Sequence, residues 1–477
     1  MSLPRHIFSL LLVLAAAVLL VVLPISLNAQ IPPGVSPSTT AIPVEFGYID
    51  SASGNLHLEL AVASSTQRAS RPYTATIVYD SLMWQPKNGV WSATSVGTFV
   101  HTINNAAGWR VVSSNDRGFI TYTVTHRTCS FGGTSYPYST FSNFVWMASD
   151  GSTKSFAGTT TRNSNSSKCG PQPVPSTNGM AKDASGFLMQ VTNYYSAKIL
   201  RPDGTVWGNL NELPDVTGFD TNGNNYSSTG STSPVVDTLG RTPVTITSTC
   251  NGNANQVCFD APNSQGGTSR TTVTTESISV STNFQQGVIT ECSPCTITVV
   301  QSIALADGTS YTFNYDSGTT PGNYGELTGI TLLTGGQINY GYTTFQDVCT
   351  SAARNRWVNS RTTGGGAWTY SPQVTISGTC GAGGTAQQQV TVTSPTNDNT
   401  VYTFPRLGTN GAPILTQVQS YSGTVSAGNL ISTLGINWIT TGTRFLLHTA
   451  IQPNSNRSNA GWNKHQPYGS IRVRQRQ

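Results

Sequence analysis

Eight cysteines offer the most direct chemistry in this 477-residue chain: Cys129, Cys169, Cys250, Cys258, Cys292, Cys295, Cys349 and Cys380. An even number suits bridges in an exported protein, although sequence alone does not fix connectivity. The simplest pairing joins neighbours: 129 with 169, 250 with 258, 292 with 295, 349 with 380. Cys292-Ser-Pro-Cys295 carries two further readings. A redox pair normally opens a helix, whose N-terminus lowers the thiol pKa, yet Thr296-Ile-Thr-Val-Val300 after it has strand character. Zinc would need two more thiolates, and Cys250 and Cys258 could supply them. The expectation is structural disulfides, with no metal and no cofactor.

Other candidate chemistry is thinner. Asp220, Asn222 and Asn224 have the alternate oxygen spacing of a calcium loop. The glycine, however, falls at Gly223 and the twelfth position holds Ser231, so an Asx turn is favoured. His57 alternates with leucines and is expected on the outward face of a strand. His126, beside Arg127 and Cys129, has no evident acid or nucleophile. No Gly-x-Ser-x-Gly, His-Glu-x-x-His or P-loop pattern is present. A glycosidase needs two carboxylates, and Glu45, Asp50, Glu59 and Asp215 are available, but nothing singles out a pair. Trp84, Trp91, Trp207, Trp368 and Tyr370 could stack on sugars, with packing of hairpin faces the favoured role.

The elements that must position these groups are strands. Charged residues make up 9% of the chain, against roughly 25% in an average globular protein, and Ser, Thr, Asn, Gln and Gly take their place. Such a composition suits short strands joined by Gly, Asn and Asp turns. Leu56, Leu58 and Leu60 alternate with period two, and Thr74 to Tyr79 forms another strand. The nearest helix candidate, Gly186 to Tyr195, is also compatible with strand. The net charge of +5 is concentrated in Arg457, Lys464, Arg472, Arg474 and Arg476, so it marks no nucleic-acid face.

A degenerate unit recurs: apolar strand, Asx-containing turn, aromatic alternating strand. It occurs around Asp150-Gly151, Asp203-Gly204, Asp307-Gly308 and Asp398-Asn399. Asp-Gly pairs tolerate the positive φ that tight hairpins require. One hairpin cannot bury its aromatic face, but a string of them can, each laid against the next. Tyr311, Phe313, Tyr315, Tyr340 and Tyr342 alternate along two such strands. If that face were left open, their rings could hold sugars; in a closed shell they would be buried.

Two segments carry a more specific pattern. The first runs Asp220-Thr-Asn-Gly223-Asn224, then Asp237-Thr-Leu-Gly240-Arg241. The second runs Asp307-Gly308-Thr309, then Tyr315-Asp316, then Tyr324-Gly325-Glu-Leu327-Thr-Gly-Ile330. Both resemble YD repeats of the Rhs family, which use Asp-x-x-Gly-Arg turns and Tyr-Asp followed by Gly-x-Leu-x-x-Ile. The resemblance covers about residues 200 to 345, and more weakly 45 to 100. It implies a β-sheet coiled into a hollow shell, with a core domain and a toxin beyond it. The Asp-Pro-x-Gly-Leu core motif is absent from this sequence, so the chain is expected to be the N-terminal part of a larger system.

Residues 1–29 resemble an export signal: Arg5 and His6, an apolar run from Leu10 to Leu23, then Pro24 and a cleavage site after Ala29. Retention as an anchor from Ile7 to Ile25 is the alternative. A Pro/Ser-rich linker follows over 30–44, an N-terminal β domain over 45–215, a YD-repeat-like β domain over 216–452, and a basic polar tail over 453–477. The expected protein is all-β, with many antiparallel hairpins in an extended, coiled or sandwich-like sheet. It is secreted or held in the cell envelope and is non-catalytic. Its partners are cell-surface glycans or a downstream core/toxin polypeptide; no nucleic acid is expected, and membrane contact only through an uncleaved signal. A carbohydrate-binding surface adhesin is the alternative, and a secreted glycoside-active enzyme the third reading.

Overall fold

The computed structural model describes residues 40–451, apart from 67–71, 88, 94–102, 114–118, 148–152, 166, 169–171, 183–185, 195, 201–205, 211–217, 220–224, 228–234, 288, 347–353, 378–384, 408–411, 414 and 442–443. The fold is all-β, as the composition predicts. Its dominant feature is a 15-stranded antiparallel sheet that starts at Thr245–Thr247 and ends at Arg444–Ile451. Almost every strand pairs with the next in sequence, and only the short Ala412–Pro413 hangs off the main path. That order follows from tight turns at the strand ends. At Asp307-Gly308, Gly308 takes φ +87°, and the Leu305 and Thr309 backbones close the turn with a 2.8 Å hydrogen bond.

A second, five-stranded sheet is built from Ala41–Val44, Gly47–Asp50, Leu56–Ser65, Tyr73–Asp80 and Trp109–Ser113. Period two puts Leu56, Leu58 and Leu60 on one face, and all three are buried. They meet Phe259, Val273, Val300, Phe313, Ile330 and Tyr340 of the large sheet in one apolar core. The two sheets therefore pack face to face, and this core joins residues on both sides of the 215/216 division. Two contacts fix the edge of the packing. Gly54 sits against the Trp357 indole, and the Gln388 amide donates to the Ala52 carbonyl at 3.0 Å.

Between these segments, the long hairpin Phe119–Phe131/Thr134–Met147 turns at Gly132-Gly133. Ile120, Phe144, Trp146, Phe156, Met189 and Ile199 form a separate core there. The stretch with the ambiguous period contains the strand Leu188–Asn193, paired on both sides.

Candidate functional site

The repeat-motif residues fall at turns, and their carboxylates hold those turns together. Asp237 accepts from the amides of Leu239 and Arg241, both at 2.9 Å. Its other oxygen accepts from Arg241 Nε and Nη2 at 2.8 and 2.7 Å. Gly240 supplies φ +72° at the bend. The Asp-x-x-Gly-Arg spacing is thus a self-capping turn: the acid reaches forward two and four residues, and the arginine folds back on it. The Arg241 side chain and the amides around it hold the Asp237 carboxyl below its ordinary range. Asp307 does the same on a smaller scale, accepting from the Thr309 amide and hydroxyl. Asp220, Gly223 and Asn224, and with them the calcium-loop spacing, lie outside the described residues.

Tyr315 and Asp316 act over a longer range. The Tyr315 hydroxyl donates to the Val300 carbonyl at 2.6 Å and accepts from Trp109 Nε1 at 3.0 Å. Trp109 belongs to the five-stranded sheet, so this tyrosine ties the two sheets together. The Asp316 carboxylate accepts from the amides of Tyr324 and Glu326. It therefore pins the far end of the Tyr324-Gly325-Glu326-Leu327 segment, whose other groups bond to the N-terminal sheet and its hairpin. The Leu327 amide donates to the Tyr79 hydroxyl at 3.1 Å, and Trp84 Nε1 donates to the Tyr324 carbonyl at 2.8 Å.

At the centre of this joint is a fully buried acid, Glu326. Arg356 grips it through Nε at 2.9 Å and Nη2 at 2.8 Å. The same guanidinium lies 3.9 Å above the Tyr324 ring. Burial pushes the Glu326 carboxyl up to about 7 despite Arg356, and the nearby Asp316 charge adds to the rise. Burial likewise pushes Asp316 up to about 6, against the pull of its two amide donors and Arg356. Two raised carboxyls beside an arginine resemble catalytic acids. Glu326 is wholly buried, whereas Asp316 is half-buried.

A second buried cluster overturns one expectation. His57 is buried, not outward. Neighbouring strands cover its face: Nδ1 lies 2.8 Å from the Asp80 carboxylate, Nε2 lies 3.1 Å from Glu59, and the Tyr48 ring packs at 4.7 Å. Asp80 also pairs with Arg110 and accepts from Asn55 Nδ2 at 2.8 Å. Burial alone would lower the His57 pKa, but the Asp80 charge and hydrogen bond outweigh it and lift it to about 9. The buried Asp80 carboxyl is held far below its ordinary value by Arg110 and His57. Each member is satisfied by another, so this network is a structural ion cluster.

The residues named for sugar stacking are in the core instead. Phe313 and Tyr340 are 3% and 4% exposed, and Tyr311, Tyr315 and Tyr342 pack against the same cluster. The five-stranded sheet covers them: Trp109 meets Phe313 edge-on at 5.0 Å, and Phe46 meets Tyr311 at 5.6 Å. Trp84, Trp91 and Tyr370 are buried too, and Trp368 carries the Arg361 guanidinium on its ring. Among the carboxylates singled out, Glu45 pairs with Arg361. Asp50 accepts from the Ala52 amide and the Ser53 hydroxyl. Asp215 lies outside the described residues.

Four cysteines pair as neighbours, Cys250 with Cys258 and Cys292 with Cys295. This takes all four sulfurs of the alternative zinc set into two separate bonds. Cys129 is also disulfide-bonded; Cys169, Cys349 and Cys380 lie outside the described residues. Disulfides fit an oxidising compartment. Glu326, Arg356, Asp80 and Arg110 are the site residues not anticipated from the sequence. The one available signal was an acid between Gly325 and Leu327 inside an apolar motif. No family model matches the chain, and no characterised protein resembles it in sequence.

Proposed function

We propose that this chain is an exported, non-catalytic β-scaffold of the YD-repeat kind, the N-terminal part of a system that encloses or presents a further polypeptide. The observation that carries the reading is what the motif residues do. Asp237 with Arg241, and Tyr315 with Asp316, spend their polar groups on turns and on the joint between sheets. A sequential meander closed by such turns can be lengthened by adding units, which suits a wall. The apolar run at the N-terminus and the disulfides support export.

The test is protease protection. The full chain is co-expressed with the polypeptide encoded immediately downstream, and the mixture is digested. Survival of that polypeptide only in the presence of this chain is the expected result. Equal digestion with and without the chain overturns the proposal.

A second reading, a carbohydrate-binding surface protein, draws on one feature. An open polar recess of about 450 Å³ is lined by Thr242, Thr245, Asp260, Thr268 and Arg270. Hydroxyls beside a paired acid and arginine suit sugar hydroxyls. A glycan array on which Arg270→Ala abolishes a wild-type signal would favour it.

A further inference from the structure

We propose that the Cys292–Cys295 disulfide is a thiol-exchange site, opened by low-molecular-weight thiols while Cys250–Cys258 stays closed, and that opening it releases the 281–294 loop from the aromatic cluster around Trp84 and Trp91. Two observations converge on this bond.

The first is access. Cys295 is half-buried, at the start of the strand Cys295–Ala304. Cys250 and Cys258 are 2% and 0% exposed. An incoming thiolate needs a path to a sulfur, and accessible disulfides are the labile ones.

The second is what the bond holds. Val280 and Cys295 are register partners, so the 281–294 loop leaves and re-enters the sheet at one neck. Across that neck the Thr282 amide donates to the Cys292 carbonyl at 2.9 Å, and the Cys292 amide donates to the Thr282 hydroxyl at 3.0 Å. Beyond it, Phe284, Ile289 and Cys292 pack with Trp84, Trp91 and Tyr324. Trp91 stacks on Phe284 at 3.9 Å, and its amide donates to the Thr290 carbonyl at 2.9 Å. The disulfide closes the Cys292-Ser-Pro-Cys295 turn through which this loop returns to the sheet at the neck.

The chemistry balances with two thiols. A thiolate attacks Cys295 Sγ, forming a mixed disulfide and expelling Cys292 Sγ as a thiolate, which takes a proton. A second thiolate attacks the external sulfur of the mixed disulfide. It leaves Cys295 as a thiol and the reagent as its own disulfide. Two electrons pass from the two reagent thiols to the cystine.

The test uses the full chain and graded reduced glutathione, with differential alkylation read by peptide mass spectrometry. Chymotrypsin is added in parallel, because Phe284 is buried in the closed loop. Cys292 and Cys295 should become alkylated at a lower thiol concentration than Cys250 and Cys258. Cleavage after Phe284 should appear over the same range, and without thiol in a Cys292→Ser/Cys295→Ser variant. A Cys250→Ser/Cys258→Ser variant should keep the 292–295 exchange unchanged. Simultaneous opening of both bonds, prior opening of 250–258, or opening without cleavage after Phe284 overturns the proposal.

Discussion

Glu326 should make this fold more stable in mild acid than at pH 8, the reverse of ordinary acid denaturation. Its carboxyl sits at about 7 in the fold and near its ordinary 4.5 in the open chain. The folded pKa is raised, so the stabilising preference is for the protonated fold. It is fully present below 4.5 and lost as the pH rises through 7. Because the group is fully buried, the loss converts to about 3 kcal/mol. Asp316 acts in the same direction between 3.8 and about 6. The two carboxyls repel, so their separate contributions do not sum. The assay is urea unfolding at pH 4.5, 6 and 8, followed by tryptophan fluorescence, for wild type and Glu326→Gln. The midpoint of wild type should fall steadily from pH 4.5 to 8. The variant, a neutral isostere of the protonated acid, should differ least from wild type at pH 4.5, and its slope should be flatter. A wild-type midpoint that rises from pH 4.5 to 8, or a variant with the wild-type slope, would refute the reasoning.

Other substitutions test other parts of the structure. His57 is raised from 6.5 to about 9, so its contribution is complete below 6.5 and lost through pH 9; His57→Gln should abolish a stability loss of about 3 kcal/mol across that window, read by thermal melts at pH 6.5 and 9.5. Gly54→Ala should cost roughly 2–4 kcal/mol, because Gly54 has φ +72° and a Cβ there would lie 2.2 Å from Trp357; an unchanged urea midpoint would contradict the packing of this loop on the large sheet. Asp237→Ala removes the oxygen that accepts from two amides, and the Arg241 clamp, and should cost about 1–2 kcal/mol, with faster amide exchange confined to 237–241.

The fold was legible where local chemistry decides it. Asp307-Gly308 announces its hairpin because few residues other than glycine tolerate that φ, and the alternation at Leu56, Leu58 and Leu60 gives one buried face directly. The same alternation misplaced His57. His57 lies on the face opposite the leucines, where Glu59 stays exposed, but Tyr48, Asp80 and Arg110 on neighbouring strands of the same sheet bury it. The aromatic alternation at Tyr311–Tyr315 and Tyr340–Tyr342 correctly marked a shared face, but its exposure depended on whether a second sheet lay over it, and no residue in that segment encodes the presence of Trp109. Glu326 and Arg356 were missed for a similar reason. Their pairing spans 30 residues and depends on the register of intervening strands, whereas Asp237 and Arg241 make theirs within one turn.

The claim of a scaffold without catalysis is tested most directly at its two raised carboxyls, because a glycosidase acid has the same signature. Purified wild type, Asp316→Asn and Glu326→Gln are incubated with a panel of polysaccharides between pH 5 and 7, and new reducing ends are measured. The account predicts no release above buffer from any of the three proteins. Release by wild type that disappears in either variant would contradict it.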